Sequence, residues 1–115
     1  MIGGIIVVTQ RTRVIIRAIG PSLGPLGVPS VLANPQLELH DANNLIGQND
    51  DWQTTQIGGI ITSDQVAAIR ASGIAPTNPA ESAIIATLQP GNYTAIVRGV
   101  NNTTGNALVE VYDLQ

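Results

Sequence analysis

Apolar residues along the chain recur at every second position or in short β-branched runs, the patterns of strands buried on one or both faces. Residues 5–9 and 13–19 are two such runs, and the polar residues 10–12 between them predict a hairpin. The alternating segment 37–41 turns at 42–44 into another short strand. The first half of the chain therefore predicts paired strands.

The second half of the chain repeats this strand pattern. Residues 82–88 and 93–99 are strand-like, and the turn between them at 90–92 contains the Pro and Gly that favour chain reversal. A polar connection at 101–106 leads to the last strand, at 107–113. Alternation with a period of two in these segments predicts which side chains share a face.

Alternation also predicts contacts between the last two strands. Val109 and Val111 share one face of the final strand, for which we predict burial. If the strands containing Arg98 and Glu110 are neighbours, these two side chains can form a cross-strand ion pair. An exposed pair of this kind contributes less than about 1 kcal/mol.

Two stretches interrupt the strand pattern. Residues 20–35 hold four of the seven prolines, which exclude a central strand and predict an irregular crossover. Residues 63–72 carry the helix signal: Thr62 as the cap, Gln65 at the capping-box position, and Gly73 at the end. We expect this short helix to lie across an open end or edge of the sheets.

The predicted fold class is all-β. With about seven to eight short strands and one short helix, the pattern favours an antiparallel β-sandwich or jelly-roll-like domain. The 115 residues suffice for a single core, so residues 1–115 are expected to form one domain.

Charged residues make up 11% of the chain, against roughly 25% in a typical soluble domain. The net charge is −3, no Lys is present, and no basic stripe occurs, so we expect no nucleic-acid binding. The chain has no Cys, which excludes disulfides and thiolate chemistry. A surface with so few charges suits extracellular structural and adhesive proteins and opposes self-association poorly.

The sequence contains no apolar run of the roughly 20 residues needed for a membrane span, so none is predicted. Residues 1–10 lack the basic region and the cleavage site of an intact signal peptide. We expect an extracellular or cell-surface location, with any export signal outside this sequence.

Side chains suited to catalysis are scarce. His40 is the one histidine, and Glu38 lies two residues away on the same side of a predicted strand. Such a pair can orient a general base, but a base also needs a nucleophile or a polarised water. A small hydrolase using His40 is therefore an alternative, and the prediction is that the protein is not an enzyme and uses no catalytic cofactor.

Oxygen-bearing side chains are concentrated on two predicted loops around residues 41–51. Hard oxygen ligands of this kind suit Ca²⁺, the one cofactor that the sequence suggests. The candidate ligands are Asp41, Asn43, Asn49, Asp50 and Asp51. The alternative is that Asp and Asn form Asx turns that bind the loop backbone. Trp52, directly after them, can stack on a sugar or fill the core.

The first strand is free of charge. Its sequence is strand-prone and apolar, and the first charged residue is Arg11. Such a strand can complete its own sheet or add to the sheet of a neighbour. The residues predicted for self-association are Ile2, Ile5, Ile6, Val7 and Val8.

Three stretches of the chain, "RAIGPSL", "PGNYTAIVRG" and "LVEVYDL", form a specific combination. Together with the segment around residues 37–52, they resemble a bacterial secreted β-sandwich domain similar to the pre-peptidase C-terminal accessory domains, over about residues 2–114. The resemblance implies an extracellular, non-catalytic module. Some similar domains assist secretion, surface attachment or polymer binding, and some bind calcium in loops.

These features are consistent with two functions, which differ in the partner that the protein binds. The first is a non-catalytic structural module that assembles with copies of itself into a filament or surface layer through strand or edge contacts. The second is a monomeric accessory module for attachment or for binding a polymer such as a polysaccharide, stabilised by calcium. The oligomeric state distinguishes the two.

Overall fold

The computed structural model describes residues 2–114, which form two antiparallel sheets and one short α-helix. The all-β prediction is confirmed. The strands are β1 (Ile2–Val8), β2 (Thr12–Ile19), β3 (Pro35–His40), β4 (Leu45–Asn49), β5 (Ser82–Leu88), β6 (Gly91–Gly99) and β7 (Leu108–Asp113). The helix is α1 (Val66–Ala71), and Pro21–Leu26 and Val100–Asn102 are short 3₁₀ segments.

The two sheets have the strand orders β1-β6-β3-β4 and β5-β2-β7. Of the connections predicted as turns, only residues 41–44 join two hydrogen-bonded strands, β3 and β4. The predicted hairpin between residues 5–9 and 13–19 is wrong, because β1 pairs with β6 while β2 pairs with β5 and β7. The short connections after β1 and β5 cross from one sheet to the other.

The core lies between the two sheets, and β3 shows the predicted period-two burial, whereas β2 and β5 are buried on both faces. Leu37 and Leu39 of β3 and Val97 of β6 point inward from the four-stranded sheet. Ile16 of β2 and Ile84 of β5 face them from the three-stranded sheet. Burying an aliphatic side chain of this size contributes about 1.5–3 kcal/mol, so this layer supplies most of the hydrophobic stabilisation.

A second, smaller core lies on the outer face of the three-stranded sheet. Ile15 and Ile85 point outward there and are covered by Ile69 of α1 and by Trp52. The helix therefore packs on the outer face of this sheet beside its edge strand β5, in agreement with the predicted position at an end or edge of the sandwich. Trp52 is only 6% exposed, so it fills the core and does not offer a stacking surface for a sugar.

The helix is shorter than predicted, and other residues bind its first N–H groups. Asp64 accepts a hydrogen bond from the Val66 N–H (2.9 Å), and Thr55 Oγ1 accepts one from the Gln65 N–H (2.9 Å). The predicted cap at Thr62 is wrong. Gly73, with φ of 79°, follows the helix, and a left-handed residue at this position commonly ends helices.

The proline-rich crossover is held against the sandwich by a buried carboxylate. Glu81 Oε2 accepts hydrogen bonds from the Gly20 and Ser22 N–H groups, each at 2.9 Å. Its Oε1 accepts from the Ser22 hydroxyl at 2.6 Å and from the Asn78 N–H at 3.2 Å. Gly20 is required by close packing, because a Cβ there would lie 2.1 Å from the Leu32 carbonyl oxygen.

Within residues 2–114, no helix has both the length and the apolar character needed to span a membrane.

Candidate functional site

The five candidate calcium ligands do not form one cluster. Asp41 and Asn43 lie in the turn that joins β3 to β4, while Asn49 lies at the other end of β4, opposite Leu37. A five-residue strand separates the two groups by about 16 Å at roughly 3.3 Å per residue. The expectation of neighbouring loops is wrong because a hairpin places the start and the end of its second strand at opposite ends.

Asp41 serves its own turn. Its Oδ1 accepts hydrogen bonds from the N–H groups of Asn43 (2.9 Å) and Asn44 (2.8 Å), the pattern of an Asx turn. These bonds stabilise the carboxylate and lower the pKa of Asp41 below its ordinary value of 3.8. The geometry here agrees with the turn alternative, since the backbone N–H groups already occupy this oxygen.

Asn49 is buried and joins three segments. Its Nδ2 donates to the carbonyl oxygens of Asp51 (3.0 Å) and Thr54 (3.1 Å), and its Oδ1 accepts from the Ala83 N–H (3.1 Å). Its amide oxygen is therefore committed to β5. Within the described residues, no group of three or more His, Cys, Asp or Glu side chains is arranged to hold a metal ion.

Asp50 and Asp51 are adjacent carboxylates in the connection after β4. Burial and the neighbouring charge of Asp51 raise the pKa of Asp50 above its ordinary value of 3.8. Because the folded state holds this proton more tightly than the unfolded chain does, the contribution of Asp50 to stability falls as pH rises from about this value. The carboxylate is thus a source of instability at neutral pH.

We therefore expect Asp50→Asn to melt at a higher temperature than the wild-type protein at pH 7. The difference should shrink as pH falls through the raised pKa of Asp50 toward 3.8, because the carboxyl becomes protonated there and resembles the amide. Thermal melts followed by circular dichroism over a pH series measure this difference in melting temperature. A melting temperature of Asp50→Asn equal to or below that of the wild type at pH 7 would contradict the assignment.

Asp64→Asn is the matched control, with the opposite sign. The Val66 N–H and the Thr55 hydroxyl bind the Asp64 carboxylate and lower its pKa. The stabilisation is present above the ordinary pKa and is lost as pH falls through the lowered value. Asp64→Asn should therefore reduce the melting temperature at pH 7 and leave it unchanged in strong acid.

His40 lies on the outer face of the four-stranded sheet in a row of charges. Its Nε2 is 2.9 Å from Glu38 Oε1, as the predicted pair requires, and Arg98 Nε donates to Glu38 Oε2 at 3.2 Å. Among residues 2–114, Glu38 is the only hydrogen-bond partner of the His40 ring. The ring is thus part of a surface ion-pair network with no hydroxyl nucleophile bound to it.

The predicted pair between Arg98 and Glu110 is wrong, since their strands belong to different sheets. Glu110 pairs instead with Arg17 of β2, which lies directly opposite it. Arg17 also donates to the Ile74 carbonyl oxygen (3.0 Å) and lies 5.3 Å from the centre of the Tyr112 ring. This half-buried network holds β7 onto β2.

Two of the four sheet edges are covered by the chain itself. On β5, the Gln65 amide binds both backbone groups of Ile85, accepting from its N–H at 3.0 Å and donating to its carbonyl at 2.7 Å. Asn49 binds the Ala83 N–H of the same edge. On β4, the Ile60 N–H donates to the Ile46 carbonyl at 2.8 Å. Such cover blocks the addition of further strands.

The edge of β1 has no such cover. Apart from β6, no segment of residues 2–114 hydrogen-bonds to the β1 backbone. The β7 edge of the other sheet runs beside it, since a Cβ on Gly4 would lie 3.5 Å from Val109 Cγ1. We refer to the outer edges of β1 and β7, each the last strand of its sheet, and the space between them as the β1–β7 side.

The β1–β7 side exposes apolar side chains. Ile5 is 79% and Val7 is 68% exposed on the outer face of β1, and Val111 of β7 is 41% exposed. A cleft of about 380 Å³ between the two edges has Ile6 and Val111 in its lining. The prediction that Val111 is buried is therefore wrong within a single chain, while Val109 does pack against the core.

The structure divides the predicted self-association residues into two groups. Ile5 and Val7 point away from the sandwich, whereas Ile2 and Ile6 pack against the core and Val8 is buried in it. The inner three therefore serve the fold of their own chain. Val111 was missed as a surface residue because alternation alone cannot show that β7 is an edge strand.

Comparison with known proteins adds no relative: no family model, no curated protein and no solved structure matches the chain. The resemblance to pre-peptidase C-terminal accessory domains stays a prediction.

Proposed function

We propose that the protein is a non-catalytic structural module that associates with copies of itself through the β1–β7 side. The observation that carries the proposal is the contrast between edges. Side-chain amides or a loop cover β5 and β4, while β1 combines an uncovered backbone with exposed Ile5 and Val7. No charged residue lies within β1 to oppose strand addition.

Two kinds of interaction support association at this surface. Full burial of Ile5 and Val7 would contribute about 1.5–3 kcal/mol each, and the partial cover that a neighbouring strand provides contributes less. Each new backbone hydrogen bond along the β1 edge would add about 0.5–1.5 kcal/mol. Association itself costs several kcal/mol, because each copy loses translational and rotational entropy. Both contributions are therefore needed, and a single substitution that removes one of them should weaken the binding.

The test is light scattering coupled to size-exclusion chromatography over a range of protein concentrations. We expect the wild-type protein to grow in mass with concentration and Ile5→Lys to remain a monomer. A Lys at this position removes the apolar contact and would place an ammonium group in the interface, which should raise the dissociation constant at least about 100-fold.

The control is Ile57→Lys. Ile57 is 67% exposed, close to the exposure of Ile5, but it lies in the loop beside the covered β4 edge. This variant should associate like the wild type. A wild-type protein that stays monomeric at millimolar concentration would contradict the proposal, as would equal loss of association in both variants.

The proposal places the module outside the cell. The low charge density and the resemblance to secreted accessory domains support this location. His40 has no catalytic role in this proposal, since no hydroxyl group of residues 2–114 hydrogen-bonds to its ring.

A second candidate function is binding of a polysaccharide, and one observation favours it. A shallow pocket of about 320 Å³ is lined by amide and hydroxyl groups, including those of Gln36, Asn101 and Thr104, beside the half-exposed Arg98. Such groups hydrogen-bond sugar hydroxyls. Calorimetry with neutral and acidic oligosaccharides tests it, and a complete absence of heat would exclude this candidate.

A further inference from the structure

We infer that the partner of β1 is the β1 strand of a second copy, antiparallel to it, with a two-fold axis passing at Ile5. This inference rests on the proposed function and specifies the contact within it. The result is a closed pair in which the four-stranded sheets of two copies join into one eight-stranded sheet.

The faces of the strand restrict the register. In an antiparallel pair, residues directly opposite each other lie on the same face. Gly3, Ile5 and Val7 point outward from the sandwich, while Ile2, Gly4, Ile6 and Val8 point inward. The permitted registers are therefore those in which odd-numbered residues lie opposite odd-numbered residues, because the odd-numbered residues of β1 are the outward ones.

Among these registers, one pairs the whole strand. β1 spans Ile2–Val8, and its central residue is Ile5. With Ile5 opposite its own copy, all seven residues of each strand are paired. Shifting to the next permitted register leaves two residues of each strand unpaired, together with their backbone groups.

The side chains also fit this register. Gly3 lies opposite Val7 of the other copy, and Gly4 lies opposite Ile6, so each glycine faces a larger apolar residue. Ile5 meets Ile5 at the centre. No charge occurs in β1, so no like-charge repulsion arises, even though the chain carries a net charge of −3.

The β7 edge is a poorer partner for itself. β7 has six residues, so full overlap would oppose side chains from different faces. The nearest registers that keep the faces place either Glu110 opposite its own copy or Asp113 opposite Val109. The first register sets like charges directly opposite each other, which destabilises a strand pair, and the second sets a carboxylate opposite an apolar side chain. Both are less favourable than the uncharged β1 pair.

The chain has no Cys, so single cysteines introduced into β1 report the register. Cβ atoms of directly opposed residues lie about 4.5–5.5 Å apart, within reach of a disulfide or a short bis-thiol reagent. The variants are Ile5→Cys, Val7→Cys and Gly3→Cys. A side chain at Gly3 has room, because its Cβ would meet nothing closer than 3.7 Å.

We expect Ile5→Cys to form a covalent dimer on oxidation at a concentration where the wild type associates. Val7→Cys alone and Gly3→Cys alone should remain largely uncrosslinked, while their mixture should give a heterodimer. Equal circular dichroism melts of the three variants before oxidation establish that each is folded.

The contrary outcomes separate the two proposals. Covalent dimers of Val7→Cys alone, or of both Ile5→Cys and Val7→Cys, would overturn the register and leave self-association in place. Association by light scattering without any cross-link in β1 would overturn β1 as the contact. A wild-type protein that is monomeric throughout would overturn the proposed function and this inference together.

Discussion

Replacing Glu81 with Gln is expected to lower the free energy of unfolding by about 2–3 kcal/mol. Its two carboxylate oxygens accept from three backbone N–H groups and one hydroxyl, all in the buried junction between β5 and the 20–26 segment. A Gln side chain presents an NH₂ group to one pair of these donors, and hydrogen bonds to charged acceptors contribute about 1.5–3 kcal/mol each.

Urea denaturation followed by circular dichroism measures this effect. Glu81→Ala should lower the free energy of unfolding further, by about 4 kcal/mol, because all four donors lose their acceptor. Glu110→Gln is the matched control: Glu110 is half-buried and paired with Arg17, so its loss should be about 1 kcal/mol or less. A Glu81→Gln protein within about 0.5 kcal/mol of the wild type would contradict the anchoring role.

Trp52→Ala should lower the free energy of unfolding by about 3–5 kcal/mol. The indole packs in the outer core with Ile15, Ile69 and Ile85, and the Arg70 guanidinium lies 5.4 Å from its ring centre. Truncation would leave a cavity between α1 and the three-stranded sheet. Thermal and urea unfolding measure the loss.

Trp52→Phe separates the packing of the ring from its hydrogen bonding. Within the described residues, the buried Nε1–H of Trp52 has no hydrogen-bond acceptor, so Phe removes no bond. We expect a loss of only about 1–2 kcal/mol, from the smaller ring volume. A Phe variant as unstable as the Ala variant would contradict the assignment of this stabilisation to packing of an aromatic ring.

The strands and their faces were predictable from the sequence, but most of their pairing was not. A period of two assigns Leu37 and Leu39 to the core wherever β3 lies in a sheet. A three-residue polar connection such as 9–11, however, suits both a hairpin within a sheet and a crossing between sheets. Which one forms depends on the long-range contacts of β1 with β6 and of β2 with β5.

The hydrogen-bond partners of the polar side chains were also only partly predictable from the sequence. Asp41 forms an Asx turn, which local sequence does indicate. Gln65 and Glu81 bind backbone groups that are 20 and 61 residues away, so nothing in their sequence neighbourhood indicates those partners. The candidate calcium ligands do not form one site, because β4 lies between the two groups and residues close along the chain are then far apart in space.

The candidate association surface was partly predictable. An uncharged first strand indicated a risk of strand addition, and Ile5 and Val7 are indeed exposed. The cover over β4 and β5 could not be read from the sequence, because it depends on side-chain amides and a loop that reach those edges only in the folded state.

Hydrogen exchange of the backbone amides at low and high protein concentration tests the central claim most directly, namely that the β1 edge is where copies meet. The β1 amides that point to the sheet edge, away from β6, should gain protection as concentration rises. The Ala83 and Ile85 amides of β5, which Asn49 and Gln65 already bind, should exchange at the same rate at both concentrations. Exchange in residues 2–8 that is the same at both concentrations, while the protein associates, would contradict the account.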